Sequence, residues 1–487
     1  FGMIVAVSVG ILLVPFFFVL IYKAKGKFNR KRLSDAGLIL LAAGTGLSSC
    51  QIGKSYTRPD MPLPARLDTL TQDTASIGDL SWWELYNDTT LQQLIHRALT
   101  YNKDLKIASA RMNELAALKR IDFANMFPQA TARLNGNRET TNYGGDNFDA
   151  DPELSLTASI SWELDLWGNL RWARDHSTAG FLASVENCRA VKMGLVAQVA
   201  QSYFELMALD NELAIVRRTL EARREGVRLA EIRFKGGLTS EIVFQQAKVE
   251  LAKTATMVPD LERRISLKES EIALLTGDFP YAVNRNVLPE EIQLPDALPL
   301  GLPSTLQERR PDIRKAEREL MAAHAEVGLA YTNMFPRLAL TATLGAESET
   351  LRDLLKSPYS YLAGNLLSPL FAMGKNRAAL KAKRAAYEGA VAEYEKTVLT
   401  AFKETHNAII NFNKIKDIYE SRRQLAEASR TAVELAQLQY INGVIGYLDL
   451  LDAQRNYFDA QVSLSNAVCD KQLMIINLYK ALGGGWK

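Results

Sequence analysis

The string Asn125-Met126-Phe127-Pro128 recurs 208 residues later as Asn333-Met334-Phe335-Pro336. Upstream, Asp104-Leu105 answers Asp312-Ile313 at the same offset. Downstream the offset slips to 206, pairing Gly168 with Gly374, Gly237 with Gly443 and Gly277 with Gly483. Matching Ala, Leu or Glu between two helices is cheap coincidence. Glycine and proline instead mark where the backbone changes direction, so a register that holds across them means repeated architecture. The chain reads as a tandem duplication, with copies at 89–277 and 305–483, and each copy supplies half of what the protein does.

The order of elements is the same in both copies. Residues 90–127 are expected to be helical, because Leu91, Leu94, Ile95, Ala98, Leu105, Ala108 and Met112 recur at spacings of three and four. Pro128 closes this helix as Pro336 closes its counterpart at 305–335. The period then changes to two. Strands are expected at 129–141, 154–163, 338–344 and, on the weakest pattern, 359–371, with turn-rich loops at 142–152 and 347–358. From 169 to 234 nothing breaks a helical pattern, and 376–442 runs comparably. Val196, Val199, Tyr203, Leu206, Leu209, Leu213, Val216 and Leu220 follow a spacing close to the 3.5 residues of a coiled-coil seam. Each long helix ends at a glycine, and another returns to Thr276 or Leu482. The reading is two antiparallel helical hairpins about 60 Å tall on the returning side.

Ten residues with one apolar and one polar face match a transmembrane barrel strand, although a soluble sandwich strand alternates in the same way. Two β-hairpins separated by so much helix fit the barrel better. Four strands cannot close a barrel, and an open edge in lipid leaves backbone groups unpaired at several kcal/mol each. Two chains would give eight strands and a filled interior; three would give twelve and a channel. Ser, Thr and Glu on the inner face favour a wet lumen, hence a trimer.

Of 58 bases and 55 acids, six bases and one acid fall in residues 1–50, which leaves a net of −2 from Gln51 onward. A nucleic-acid partner would want a basic face, so none is expected. The cysteines, Cys50, Cys188 and Cys469, are too scattered for a zinc site or a disulfide framework, and the four histidines read as ordinary helix positions. With no phosphate-binding, dinucleotide or hydrolase motif, neither catalytic residue, metal nor cofactor is expected, and the chain is not read as an enzyme.

Residues 1–26 begin with an uncharged stretch long enough to cross a bilayer, followed at once by bases. They resemble the last transmembrane helix of resistance-nodulation-division (RND) pumps, which implies fusion to a neighbouring gene or a misplaced start. Residues 27–49 have the grammar of a signal peptide, and Leu47-Ser48-Ser49-Cys50 resembles a bacterial lipobox. That resemblance implies lipidation of Cys50 as the mature N-terminus, with two acylations anchoring it in the outer-membrane lipid.

From Cys50 onward the chain resembles the TolC/OprM-type outer membrane factors, in the lipoprotein branch that serves RND efflux. The resemblance rests on the lipobox, on Ile52 through Pro59, Trp82-Trp83, Trp162 through Gly168, Glu308 through Ile313, and Gly443 through Gln454. It implies a mainly α fold: a periplasmic α-barrel of helical hairpins continuing into a twelve-stranded transmembrane β-barrel made by a homotrimer. Residues 50–88, 278–304 and the tail at 484–487 would belt its equator. It also implies two partners, a periplasmic adaptor and an inner-membrane RND pump. Lys54 stands where the family usually has proline, and Phe371-Ala372-Met373-Gly374 is a looser form of the second strand-to-helix motif.

Asp449 and Asp452 lie three apart on one helix face beyond the Gly443 turn. In the family, acids at matching positions line the constricted periplasmic mouth, and a trimer would gather six carboxylates there. Crowded like charges raise pKa values and invite cations, although acids near a helix start also suit its dipole. Copy one has Val243 and Gln246 at the equivalent places, and a base that secures the mouth in some members is here Ile445. The turns Gly237-Leu238-Thr239 and Gly443-Val444-Ile445 match the family's adaptor-contact tips. The expected function is therefore an efflux conduit for small compounds. Two alternatives are a type I secretion outlet and a coiled-coil lipoprotein that conducts nothing.

Overall fold

The computed structural model describes residues 51–62, 76–85, 88–141, 149–286, 303–369 and 371–486. The span at 1–26, the signal-like stretch at 27–49, Cys50 and residues 287–302 of the linker lie outside the described residues. After α1 (Trp82–Leu85), copy one runs α2 (Thr89–Tyr101), α3 (Lys103–Ala124), β1 (Gln129–Thr141), β2 (Asp149–Leu164), α4 (Asn169–Lys235) and α5 (Glu241–Thr276). Copy two runs α6 (Pro303–Arg309), α7 (Pro311–Thr332), β3 (Arg337–Ser348), β4 (Pro358–Leu367), α8 (Lys375–Ile441) and α9 (Tyr447–Ala481). The copies agree in length: α3 and α7 have 22 residues each, α4 and α8 have 67 each, and α5 and α9 have 36 and 35.

The expected single helices at 90–127 and 305–335 are each broken, at equivalent positions. Asn102 leaves the helical region with ψ 134°. Its side chain accepts from Leu105 N at 2.9 Å and donates to the Leu275 carbonyl at 3.0 Å. Short polar side chains compete with the helix ladder in this way. In copy two the break falls at Arg310, since the residue before Pro311 is pushed out of the helical region. Arg310 Nη1 donates to the Ala481 carbonyl at 3.1 Å, so the repeat register reappears as one long-range contact made twice.

The six glycines that carry the register have φ between 72° and 85°. Gly277 and Gly483 close α5 and α9, and here glycine is required twice over. A Cβ on Gly277 would stand 2.5 Å from the Tyr101 carbonyl oxygen, and one on Gly483 would stand 3.1 Å from the Arg309 backbone. A left-handed cap pressed against another helix's main chain excludes any side chain.

Residues cluster into two compact units. One holds 51–59, 113–182 and 317–392, with the whole sheet; the other holds 60–112, 183–316 and 393–487, with the hydrophobic core, and α3, α4, α7 and α8 each run through both. The coiled-coil seam lies in that core: Val199, Tyr203, Leu206 and Val216 are fully buried, while Leu220 is half-buried. Neighbours from six other helices, Trp82, Leu91, Leu261, Leu306, Phe412 and Ile476 among them, pack in the same cluster.

The sheet is antiparallel throughout, in the order β1-β2-β3-β4. β2 begins at Asp149 and β3 runs to Ser348, so both expected loops are shorter than their turn-rich composition implies. β4 stops at Leu367, short of Phe371. Register sets Leu134 opposite Leu156, Ala158 opposite Leu344, Trp162 opposite Leu340, and Leu338 opposite Leu366, all on one face. On the two inner strands that apolar face is the more exposed one: Leu156 is 40% exposed and Leu340 38%, against 9% for Ser155 on the other face. Ser155, Thr157, Ser159 and Thr343 share the opposite face, where the Ser159 and Thr343 hydroxyls meet at 2.9 Å. A soluble sandwich buries its apolar face; this sheet does the reverse, as a membrane strand must.

Candidate functional site

The two hairpin turns are built alike. Gly237 N donates to Phe234 O and Leu238 N to Arg233 O; Gly443 N donates to Tyr440 O and Val444 N to Gln439 O. Each is the paired-bond glycine cap that satisfies the last helix carbonyls. In such caps the residue after glycine usually packs back on its own helix, yet Leu238 and Val444 are 70% and 71% exposed. Thr239 and Ile445 are half-buried, so each turn offers one apolar tip residue rather than two. The turns belong together: the Arg233 guanidinium stacks over the Tyr440 ring at 4.9 Å, and Tyr440 packs on Tyr447 at 5.8 Å.

Asp449 and Asp452 are both exposed, on the face of α9 opposite the buried Leu450 and Leu451. Their local roles differ. Asp449 Oδ2 accepts from Gly446 N at 3.0 Å and thereby caps α9. Asp452 Oδ1 lies 3.5 Å from Arg455 Nη1, one turn along. The dipole reading of these acids thus has a physical basis in Asp449, while Asp452 is held only loosely, in solvent.

Sequence reasoning missed what lies just inside the turns. Arg223 of α4 and Glu250 of α5 are 7% and 4% exposed, and Arg455 of α9 reaches across to hydrogen-bond the Glu250 carboxylate. Arg223 Nη2 lies 3.8 Å from the same carboxylate, and its Nη1 donates to Gln454 of α9. The Arg455 hydrogen bond holds the Glu250 pKa below its ordinary 4.5. Burial depresses the Arg223 pKa. No periodicity announces this cluster, because Glu250 and Arg223 stand in heptad-like runs full of other charges. Since the Glu250 pKa is depressed on folding, its stabilisation is complete above 4.5 and is lost as pH falls through the lower folded value. The gap in thermal unfolding midpoint between wild type and Glu250→Gln is therefore expected to stay constant from about pH 7 to 5 and to shrink below that.

At the other unit, the segment following Cys50 is tied to the β2–α4 junction. Ile52 N donates to Trp167 O at 3.2 Å, Trp172 Nε1 donates to Ile52 O at 3.0 Å, and Arg58 forms a two-pronged pair with Glu317 at 2.7 Å. The repeated Met-Phe-Pro strings receive indole bonds there: Trp162 Nε1 donates to Met126 O at 3.0 Å and Trp167 Nε1 to Pro336 O at 2.7 Å. Among the described residues no group of His, Cys, Asp and Glu could hold a metal ion, and no helix is long and apolar enough to cross a membrane.

An antiparallel sheet whose inner strands expose their apolar face, in a chain that also builds long helical hairpins, defines a membrane-barrel protein. The family model "Outer membrane efflux protein" matches residues 94–278 and again 302–484, one match for each copy. The chain belongs to that family. It is 31% identical over 466 residues to outer membrane protein OprJ of Pseudomonas aeruginosa, covering 92% of this chain and 96% of OprJ. It is 28% identical to the probable outer membrane lipoprotein SilC of Salmonella typhimurium, covering 94% of this chain and 99% of SilC. The solved structure of the outer-membrane channel OprN superposes with a TM-score of 0.83 at 30% identity, covering 90% of this chain and all of OprN.

Proposed function

We propose that three copies of this chain close a twelve-stranded barrel in the outer membrane. Their hairpins form a periplasmic tube that receives small compounds from an adaptor and an inner-membrane RND pump. The observation that carries this reading is the sheet. Its inner strands expose their apolar face more than their polar one, and β1 and β4 end it with no further strand among the described residues. An unpaired edge in lipid is costly, so the edges of neighbouring copies pair. Cys50 carries the lipid anchor, and Leu238 and Val444 at the hairpin turns contact the adaptor. Asp449 and Asp452 from three copies ring the constricted mouth and select cations. No reaction is catalysed; the protein's work is to hold a path open or shut.

Planar-bilayer recording of the purified mature trimer tests this. Small cation-selective currents are expected, with selectivity lost or conductance raised in Asp449→Ala/Asp452→Ala. Folded, inserted trimers that pass no current would instead favour a tethering lipoprotein. Conductance unchanged by the double substitution would remove the acidic mouth and leave the tube. Passage of unfolded polypeptide in preference to small ions would point to secretion.

A further inference from the structure

We propose that Met373 and Lys375 of one copy dock on the Phe123 and Phe127 rings of the next, so that the seam between copies repeats a contact the chain already makes inside itself. The inference rests on the trimer reading and names the residues by which one copy recognises another.

The chain carries its own template. Where β2 turns into α4, the Trp167 ring stacks on Phe335 at 5.2 Å, and Phe335 meets Tyr331 edge-on at 5.4 Å. The Trp167 indole donates to the Pro336 carbonyl, and Asn169 Nδ2 donates to Thr332 Oγ1 and Asn333 Oδ1 at 3.0 Å each. A corner of copy one is thus seated on a corner of copy two. The repeat gives every one of these groups a counterpart. At an offset of 208, Phe123, Asn125, Phe127 and Pro128 answer Tyr331, Asn333, Phe335 and Pro336. At an offset of 206, Met373 and Lys375 answer Trp167 and Asn169.

The receiving corner is built alike in both copies, since Phe123 meets Phe127 edge-on at 5.1 Å. Its cover is what differs. Trp167, Tyr331 and Pro336 are half-buried, whereas Phe123 is 47% exposed, Met373 is 85% exposed and Pro128 is exposed too. Both halves of the contact are present, but they stand at the two opposite edges of one sheet. A second copy brings them together. Antiparallel pairing of β4 with β1 of the next copy sets the end of one strand beside the start of the other, as Leu164 of β2 faces Leu338 of β3 within the chain.

Met373 carries a second mark. Among the described residues it alone combines a side chain with a positive φ, at 45°, in a turn closed by Lys375 N donating to Ala372 O at 2.8 Å. Such backbone is costly and persists where surrounding contacts hold it. A flexible, polarisable thioether suits a seat made of ring edges. It has no N–H, so it cannot repeat the indole bond, and the seam between copies relies on packing where the inner seam has a hydrogen bond as well. Lys375, with donors only, faces Asn125 Oδ1, which accepts from Gln129 at 3.2 Å and keeps a second lone pair.

Cysteine pairs in the full-length protein test the docking, using a short bis-maleimide, with currents and heat-resistant trimer bands as checks on assembly. Trp167→Cys/Phe335→Cys should link within one chain and leave its mass unchanged on denaturing gels. Met373→Cys/Phe127→Cys should link chain to chain and give covalent dimers and trimers, while either variant alone gives neither. Mixing Met373→Cys chains with Phe127→Cys chains should give covalent dimers only. If Phe127→Cys does not assemble, Phe123→Cys takes its place in the same ring pair. Met373→Gly should lower the temperature at which the trimer band gives way, by about 2–5 °C. A residue of purely local importance would gain from glycine at a positive φ. Stable, conducting trimers that form the inner link but none between chains would overturn the docking and leave the trimer standing. A Met373→Gly trimer as stable as wild type would remove Met373 from the seam. Single chains in every sample, wild type included, would overturn the trimer and the docking with it.

Discussion

Replacing Arg310 by alanine is expected to destabilise the protein by about 2–3 kcal/mol, a discount on the loss typical of a broken buried pair. Arg310 is 4% exposed and bonds Asp312, Glu404 and the Ala481 carbonyl. Burial pulls its pKa down, but the hydrogen bonds and charges of Asp312 and Glu404 outweigh that and leave it raised. The discount reflects its partners: the side chains of Asp312 and Glu404 are 35% and 49% exposed, so water takes over part of their solvation. The Ala481 carbonyl also keeps the Thr405 hydroxyl at 3.1 Å. In copy one, Asn102→Ala should cost less, about 1–2 kcal/mol, because it removes neutral hydrogen bonds only. Denaturant unfolding in detergent micelles measures both. Equal losses would mean that Arg310 contributes as a spacer and that its charges are irrelevant to the fold.

The second large effect is expected at Gly328. Its missing side chain leaves room for the Trp172 ring: a Cβ there would stand 2.3 Å from Trp172 Cδ2. Gly53 presses on the same ring from the N-terminal segment, with a would-be Cβ 2.8 Å from Cζ2. The indole is further held by its bond to the Ile52 carbonyl and by His324 at 5.6 Å, so it has little freedom to step aside. Gly328→Ala is therefore expected to cost about 1–3 kcal/mol as overpacking. It should also free the segment at 51–58, because a displaced Trp172 gives up Ile52. Limited proteolysis should cut that segment faster in Gly328→Ala than in wild type. An unchanged cleavage rate with an unchanged unfolding midpoint would show that the ring repacks at no cost.

Much of this fold is local in origin and so could be read from the chain. Glycines at 237, 443, 277 and 483 announce helix ends because their φ is positive, and a positive φ disfavours every other residue. The heptad seam from Val196 to Val216 announces burial because its period matches the helix. Alternation in β2 and β3 announced strands, though not their length. The ladder carried Asp149 and Ser348 into the sheet across residues whose own preference is to turn.

Contacts between distant segments had to await the tertiary structure. The helix breaks at Asn102 and Arg310 have their purpose in carbonyls more than 170 residues away. Whether the sheet's apolar face looks outward is also not a property of alternation, which serves a sandwich and a barrel equally; the exposure of Leu156 and Leu340 on the inner strands, against the buried Ser155, decides it. Asp449 and Asp452 stand out in the sequence by their spacing and by the family resemblance, and packing divided them into a helix cap and a partner of Arg455. Glu250 is one acid among many until α4, α5 and α9 bury it. The sequence alone determined the repeat, its punctuation and its periods, because these are set by backbone stereochemistry within a few residues. Which charges are buried, and which of them bind one hairpin to the other, depends on desolvation, and desolvation exists only once the helices have packed.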